Sequence, residues 1–233
     1  MADRPILFSG PMVRALLAGR KTQTRRLVNF PGVEKVMDFV KVATDKDGRP
    51  VYEMKDAAGS FMSRPAGKGL VDYHFSPRIG VGDRLWVRET WSHTGDHDFS
   101  ISEARMSPFG YAIYQADDNP DYPHAKFWPS IHMPREFSRL TLIVTDVRVE
   151  RLQSISEADA LAEGAEPSKH PGMDGGAMVL TDVPGVTVSP GVWYRWLWDE
   201  INGKGAWKAN PWVVAYTFRV IKQNIDQIEK VAA

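Results

Sequence analysis

Between Arg14 and Arg26 the chain carries five cations (Arg14, Arg20, Lys21, Arg25 and Arg26) and no aspartate or glutamate. Its flanks pin this charged stretch in place. Met12, Val13, Leu16 and Leu17 share one face at helical spacing, Ser9 or Gly10 can cap that helix, and Pro11 suits its first turn. Gly19 is the expected left-handed stop, and Gln23 to Val28 suits a strand. Lys21 and Thr24 therefore sit at a helix-to-strand turn whose backbone is fixed at both ends. Two readings stand side by side. An amine ringed by fixed arginine charge has a lowered pKa and can take a proton from a hydroxyl three residues away. Alternatively, the stretch is a solvated basic turn that touches phosphate or nothing.

Composition narrows the classes. Lys plus Arg equals Asp plus Glu, so the formal net charge is zero, which argues against a protein that coats nucleic acid. There is no cysteine, so thiol nucleophiles, disulfides and cysteine-containing zinc sites are excluded. The start of the chain has no signal-peptide apolar core and no stretch reads as a membrane span, so the expectation is a soluble, cytoplasmic protein.

Along the chain, Ile6 to Phe8 reads as a first buried strand. Val36–Val42 and Val51–Met54 flank a turn at Asp45–Gly48, with Leu70–Phe75 pairing nearby. Arg84 to Trp91 alternates as one half-buried strand and contains Glu89, a reserve proton donor. Ser92 to Pro108 reads as polar loop. Its His93 and His97, with Asp96 and Asp98, have a metal-like spacing, but Gly95 argues against the helix a metal site would need; no metal or cofactor is expected. Trp128 to Arg135 is a proline-bounded loop presenting His132 and Arg135.

Arg139 to Leu152 gives the longest strand signal, bent near Asp146. A short helix follows from Glu157 to Glu163, capped at Ser156 and stopped by Gly164. A glutamate in a helix's last turn is disfavoured as an anion, which makes Glu163 a candidate proton donor or else an ordinary surface residue. Ser189-Pro190 opens an aromatic-rich helix to Ile201. Trp212 could stack on a planar base, with core packing the default, before a closing strand Val213–Val220 and a polar tail. Many strands and few short helices predict an α+β fold, a small mixed-sheet β-barrel, as a single domain over 1–233 with insertions at about 29–79, 92–138 and 165–190.

The run Leu17 to Arg26 resembles the signature of the ASCH domain, a PUA-like family. In the pattern Gly-x-Lys-x-x-Glu-x-Arg, Gly19, Lys21 and Arg26 match, and Thr24 stands where many members have Glu. Gly82-Asp83-x-Leu85 is similar to the family's second strand entry, and longer phage- and prophage-type members look similar over most of the chain. The threonine matches the subgroup that acts as N4-acetylcytidine amidohydrolase. That resemblance implies a catalytic lysine at Lys21, a catalytic threonine at Thr24 and, through alignment of the short helix after Leu152, a catalytic glutamate at Glu163. It implies hydrolysis of an N4-acylated cytosine without a cofactor, with a nucleoside as partner; Arg26 from the signature, together with Glu89, His132, Arg135 and Trp212 from the reading of the residues above, are the candidate substrate contacts. The competing expectation is a PUA-like RNA-binding or RNA-processing module in which the same cations touch phosphate. A phage accessory protein that binds a host protein is a third.

Overall fold

The computed structural model describes residues 2–30, 32–66, 69–94, 100–107, 110–118, 126–170, 172 and 176–228, with backbone alone at 64–66 and 69–72. In chain order the elements are β1 (Asp3–Leu7), α1 (Gly10–Leu17), β2 (Gln23–Leu27), β3 (Asp38–Thr44), β4 (Pro50–Lys55), β5 (Ser63–Ala66), β6 (Gly69–Asp72), β7 (His74–Phe75), β8 (Arg84–Arg88), β9 (Trp91–His93), α2 (Ile101–Met106), β10 (Ala112–Tyr114), β11 (Thr141–Arg151), α3 (Glu157–Ala162), β12 (Val179–Leu180), β13 (Thr187–Val188), α4 (Pro190–Asn202) and β14 (Trp212–Ile221). The class is α+β with a mixed sheet. Five strands are hydrogen-bonded in the order β1-β8-β11-β14-β2, with β1 and β8 parallel and the β8–β11 and β14–β2 pairs antiparallel. The expected closed barrel is not formed among the described residues: the order begins at β1 and ends at β2, with no ladder joining them.

The chain forms two compact units, and β11 and β14 contribute residues to both. One unit comprises Arg20–Asp83 and Val144–Arg219. In it β2 pairs with β14 from Leu27↔Val213 to Gln23↔Thr217. The hairpin β3–β4 with β7 forms a separate three-stranded sheet. Alternate residues of β4 are buried, as period-2 patterning requires, and Phe30, Phe39, Tyr52, Phe75 and Trp212 pack edge-on or tilted, with centroids 4.8 to 6.5 Å apart. Helices α3 and α4 pack through Leu152, Ala160, Tyr194, Trp198 and Val213. The Gly-rich loop after Glu166 contains a small hairpin, β12–β13, that the composition hid.

The other unit comprises Ala2–Gly19, Arg84–Ile143 and Val220–Ala233. Here α1 follows Ser9, whose side chain makes no cap hydrogen bond, has Pro11 in its first turn and ends ahead of Gly19 at φ 74°. The strand expected over 84–91 breaks after Arg88, and Trp91–His93 pairs with β10 instead. Helix α2 replaces part of the expected loop. Ser100 and Glu103 form a reciprocal capping box there, a signal present in the sequence as Ser-x-x-Glu. Residues 95–99, including His97 and its neighbouring acids, lie outside the described residues. The polar tail is anchored by Ile225, which is fully buried. Among the described residues no helix is long and apolar enough to cross a membrane.

Candidate active site

Strand β2 opens against the end of α3. The Thr22 amide donates to the Ala162 carbonyl at 2.8 Å, and Lys21 and Glu163 form an antiparallel bridge. Glu163 is the cap residue of α3, and Gly164 (φ 111°) turns the chain away. Backbone geometry therefore brings the Lys21 and Glu163 side chains together. The Lys21 Nζ donates to Glu163 Oε2 at 2.7 Å and to its carbonyl at 2.8 Å. Lys21 has no solvent exposure, Thr24 has 1% and Glu163 has 4%.

Arg25 completes the cluster. Its Nη1 donates to Glu163 Oε1 (3.2 Å) and to Gln23 Oε1 (2.5 Å), its Nε and Nη2 donate to Glu150 Oε1 (3.1 and 2.7 Å), and Nη2 also reaches Asp159 Oδ2 (3.3 Å). Gln23 Nε2 donates in turn to Asp159 Oδ1 and to the hydroxyl of Thr217, its cross-strand partner. Arg148 Nη2 closes on both oxygens of Asp159 at 3.3 Å. The basic stretch is thus not a solvated turn, because Lys21 and Arg25 are buried and matched by carboxylates from α3 and β11.

Burial holds the Lys21 ammonium below its ordinary range; Glu163 opposes that shift, and Arg26 and Arg25 reinforce it. The direction agrees with the expectation from the arginine field, but removal from water is the larger cause. Arg20 instead lies 3.9 Å from Glu166. Burial likewise lowers Arg26, against the attraction of Glu163. The Tyr194 hydroxyl is pushed up by burial and by its interaction with Glu163.

Thr24 is the second residue of β2, and strand alternation turns it to the same face as Arg26 and its cross-strand partner Tyr216. Gln23 and Arg25 occupy the opposite face. Trp212 belongs to the same unit: its indole N–H donates to the Val36 carbonyl at 2.9 Å, Arg151 lies over its ring at 4.2 Å, and Phe39 meets it edge-on. The remaining expected contacts belong to the other unit. Glu89 is buried and accepts from Arg139 through both oxygens at 2.9 Å; burial raises its pKa against that pairing. Arg135 is bound to Asp3 and Asp226, and His132 is exposed in the 3-10 turn Ser130–His132.

Lys21 and Glu163 are therefore in direct contact, whereas Glu150, Asp159 and Gln23 are partners that the sequence reading did not single out. Their signal was the same-face alternation of polar residues: Gln23 with Arg25 on β2, and Arg148 with Glu150 on β11. Among the described residues no group of His, Asp or Glu is arranged to hold a metal ion. No family model, curated protein or solved structure matches this chain.

Proposed function

We propose that this chain is an amidohydrolase that removes the acyl group from N4-acylated cytosine or cytidine, on a fold of the PUA-like ASCH type. The observation that carries the reading is a fully buried lysine bonded at 2.7 Å to a glutamate, three residues ahead of a buried threonine. That is the residue set of the resemblance, and the lowered lysine pKa suits a general base.

In the reaction, the Thr24 hydroxyl attacks the acyl carbonyl carbon while its proton passes to Lys21, a transfer that requires the amine to reach round from the Gln23 and Arg25 face of β2 to the Thr24 face. The tetrahedral intermediate collapses as the C–N4 bond breaks. Glu163, hydrogen-bonded to Lys21, relays that proton to the departing nitrogen, which leaves as the neutral 4-amino group. Water then cleaves the acyl-threonine by the reverse proton path, releasing the carboxylic acid. The ring delocalises charge on the leaving nitrogen, so the step demands less of its acid than expulsion of an alkylamine. The three residues have almost no exposure, so substrate entry requires the groups covering them to move.

The RNA-binding alternative needs cations that face solvent, and the pairing of Arg25 with Glu150, Asp159 and Glu163 counts against it. The test is the ultraviolet spectrum of N4-acetylcytidine incubated with the protein. Loss of the acylcytidine band, insensitive to salt, is expected. Absence of turnover across short and long acyl groups, with RNA affinity that falls steeply with salt, overturns the reading.

A further inference from the structure

We infer that Arg25 and Arg26 act as standing counter-charges to the Glu163 carboxylate, so that Lys21 can release its proton inside the fold, and that Arg25 is the positioning residue holding that carboxylate against the amine. The catalytic meaning of this role rests on the amidohydrolase reading; the electrostatic role does not.

A neutral Lys21 beside an ionised Glu163 would ordinarily leave a buried carboxylate uncompensated, which is costly. Here Glu163 keeps Arg25 Nη1 at 3.2 Å and the longer-range attraction of Arg26, and neither guanidinium gives up its proton. The surrounding groups are Arg25 and Arg26 from β2, Asp159 and Glu163 from α3, Glu150 and Arg148 from β11, Tyr194 from α4, Tyr216 from β14, and the Arg20–Glu166 pair beyond the turn. Within the cluster four cations (Lys21, Arg25, Arg26, Arg148) meet three carboxylates (Glu150, Asp159, Glu163). Asp146, with a side chain 53% exposed, adds an ion pair to Arg148 at 3.3 Å. Arg25 is well suited to hold Glu163 because its other edge is fixed by Glu150 and Asp159, so its Nη1 has a set direction.

The test follows the 13Cε shift of Lys21 against pH, the signal being assigned by its loss in Lys21→Met. In the wild type the midpoint is expected below the ordinary lysine range. Arg25→Gln should raise it by about one pH unit, because a repelling cation is lost and Glu163 loses the hydrogen bond that competes with Lys21 for its carboxylate. Arg25→Lys keeps the charge and should stay within about half a unit of wild type. If Arg25→Gln does not fold, Arg26→Gln at a half-buried position must give the same upward move. An ordinary wild-type midpoint, or a midpoint unmoved by loss of either arginine, overturns the inference. This titration needs no turnover, so its failure and failure of the amidohydrolase assay are separate results. With turnover, the acid limb of the pH–rate profile should rise with the midpoint in Arg25→Gln and return in Arg25→Lys. A limb that stays put while the midpoint moves overturns the catalytic part.

Discussion

Every nitrogen of the Arg25 guanidinium has a side-chain acceptor, and such saturation separates a structural anchor from a charge left open for a ligand. Glu89 shows the same logic in the other unit, where Arg139 forks onto both carboxylate oxygens, stacks on Tyr114 at 3.9 Å and reaches Asp117 at 2.8 Å. Burial pushes the Tyr114 hydroxyl up to about 12, which fits a phenol enclosed in that cluster and donating to the Phe137 carbonyl. Removing one partner of a buried pair leaves the other inadequately matched. Glu89→Ala is therefore expected to lower stability by about 3 kcal/mol, read from the urea midpoint. A change below about 0.5 kcal/mol would show that Arg139 is solvated well enough to stand alone.

Helix α3 has only six residues, so its N-terminal cap carries unusual weight for a segment that presents Asp159 and Glu163. The Ser156 hydroxyl accepts from the Asp159 amide at 3.1 Å, and the Ser100 hydroxyl accepts from the Glu103 amide at 3.3 Å to cap α2, which carries none of the proposed catalytic residues. Ser156→Ala and Ser100→Ala should each cost about 1 kcal/mol in thermal or denaturant unfolding. Only Ser156→Ala should also lower the rate of N4-acetylcytidine turnover; equal loss in both would trace the effect to general stability. Elements of this kind were legible because start, capping and stop signals are local: Pro11 with Gly19, Ser156 with Gly164 and Ser189 with Pro190 mark their helices in the chain itself. The break of β8 after Arg88 was not legible, because Thr90, Trp91 and Ser92 continue an acceptable strand pattern. Tertiary pairing of Trp91 with Tyr114 decides it. The Lys21–Glu163 bond was reachable only through the resemblance, since 142 residues separate the partners and no local rule sets that register.

Taken as a whole, the molecule is electrically neutral by formal count, and its charges are organised into local clusters. The widest in sequence joins Arg84, Asp3, Arg135 and Asp226, which ties β1 and β8 to the C-terminal 3-10 turn Ile225–Gln227 within one unit. Its bonds from Arg84, with those from Arg135 and against the cost of burial, hold the Asp3 carboxyl at about 2, below its ordinary 3.8. A depressed carboxylate pKa contributes stability that is present above the unfolded value and is lost as pH falls through the folded one. Asp3 should therefore add about 2 kcal/mol at neutral pH, and this should vanish between about pH 4 and pH 2. Acid-unfolding curves of wild type and Asp3→Asn should converge at the acid end of that window. Parallel curves throughout would remove Asp3 from the account. The α+β class and most strands were readable from alternation, whereas the division into two units and the open sheet order were not. Both depend on which distant strands pair, and β11 and β14 each read as one continuous strand in sequence. The roles of Lys21 and Thr24 are tested most directly by N4-acetylcytidine turnover, followed in the ultraviolet, by wild type, Lys21→Ala and Thr24→Ala. The wild type should turn the substrate over, and each variant should lose roughly a hundredfold or more of that rate. A wild type that leaves the substrate intact, or variants that turn it over at the wild-type rate, would contradict those roles.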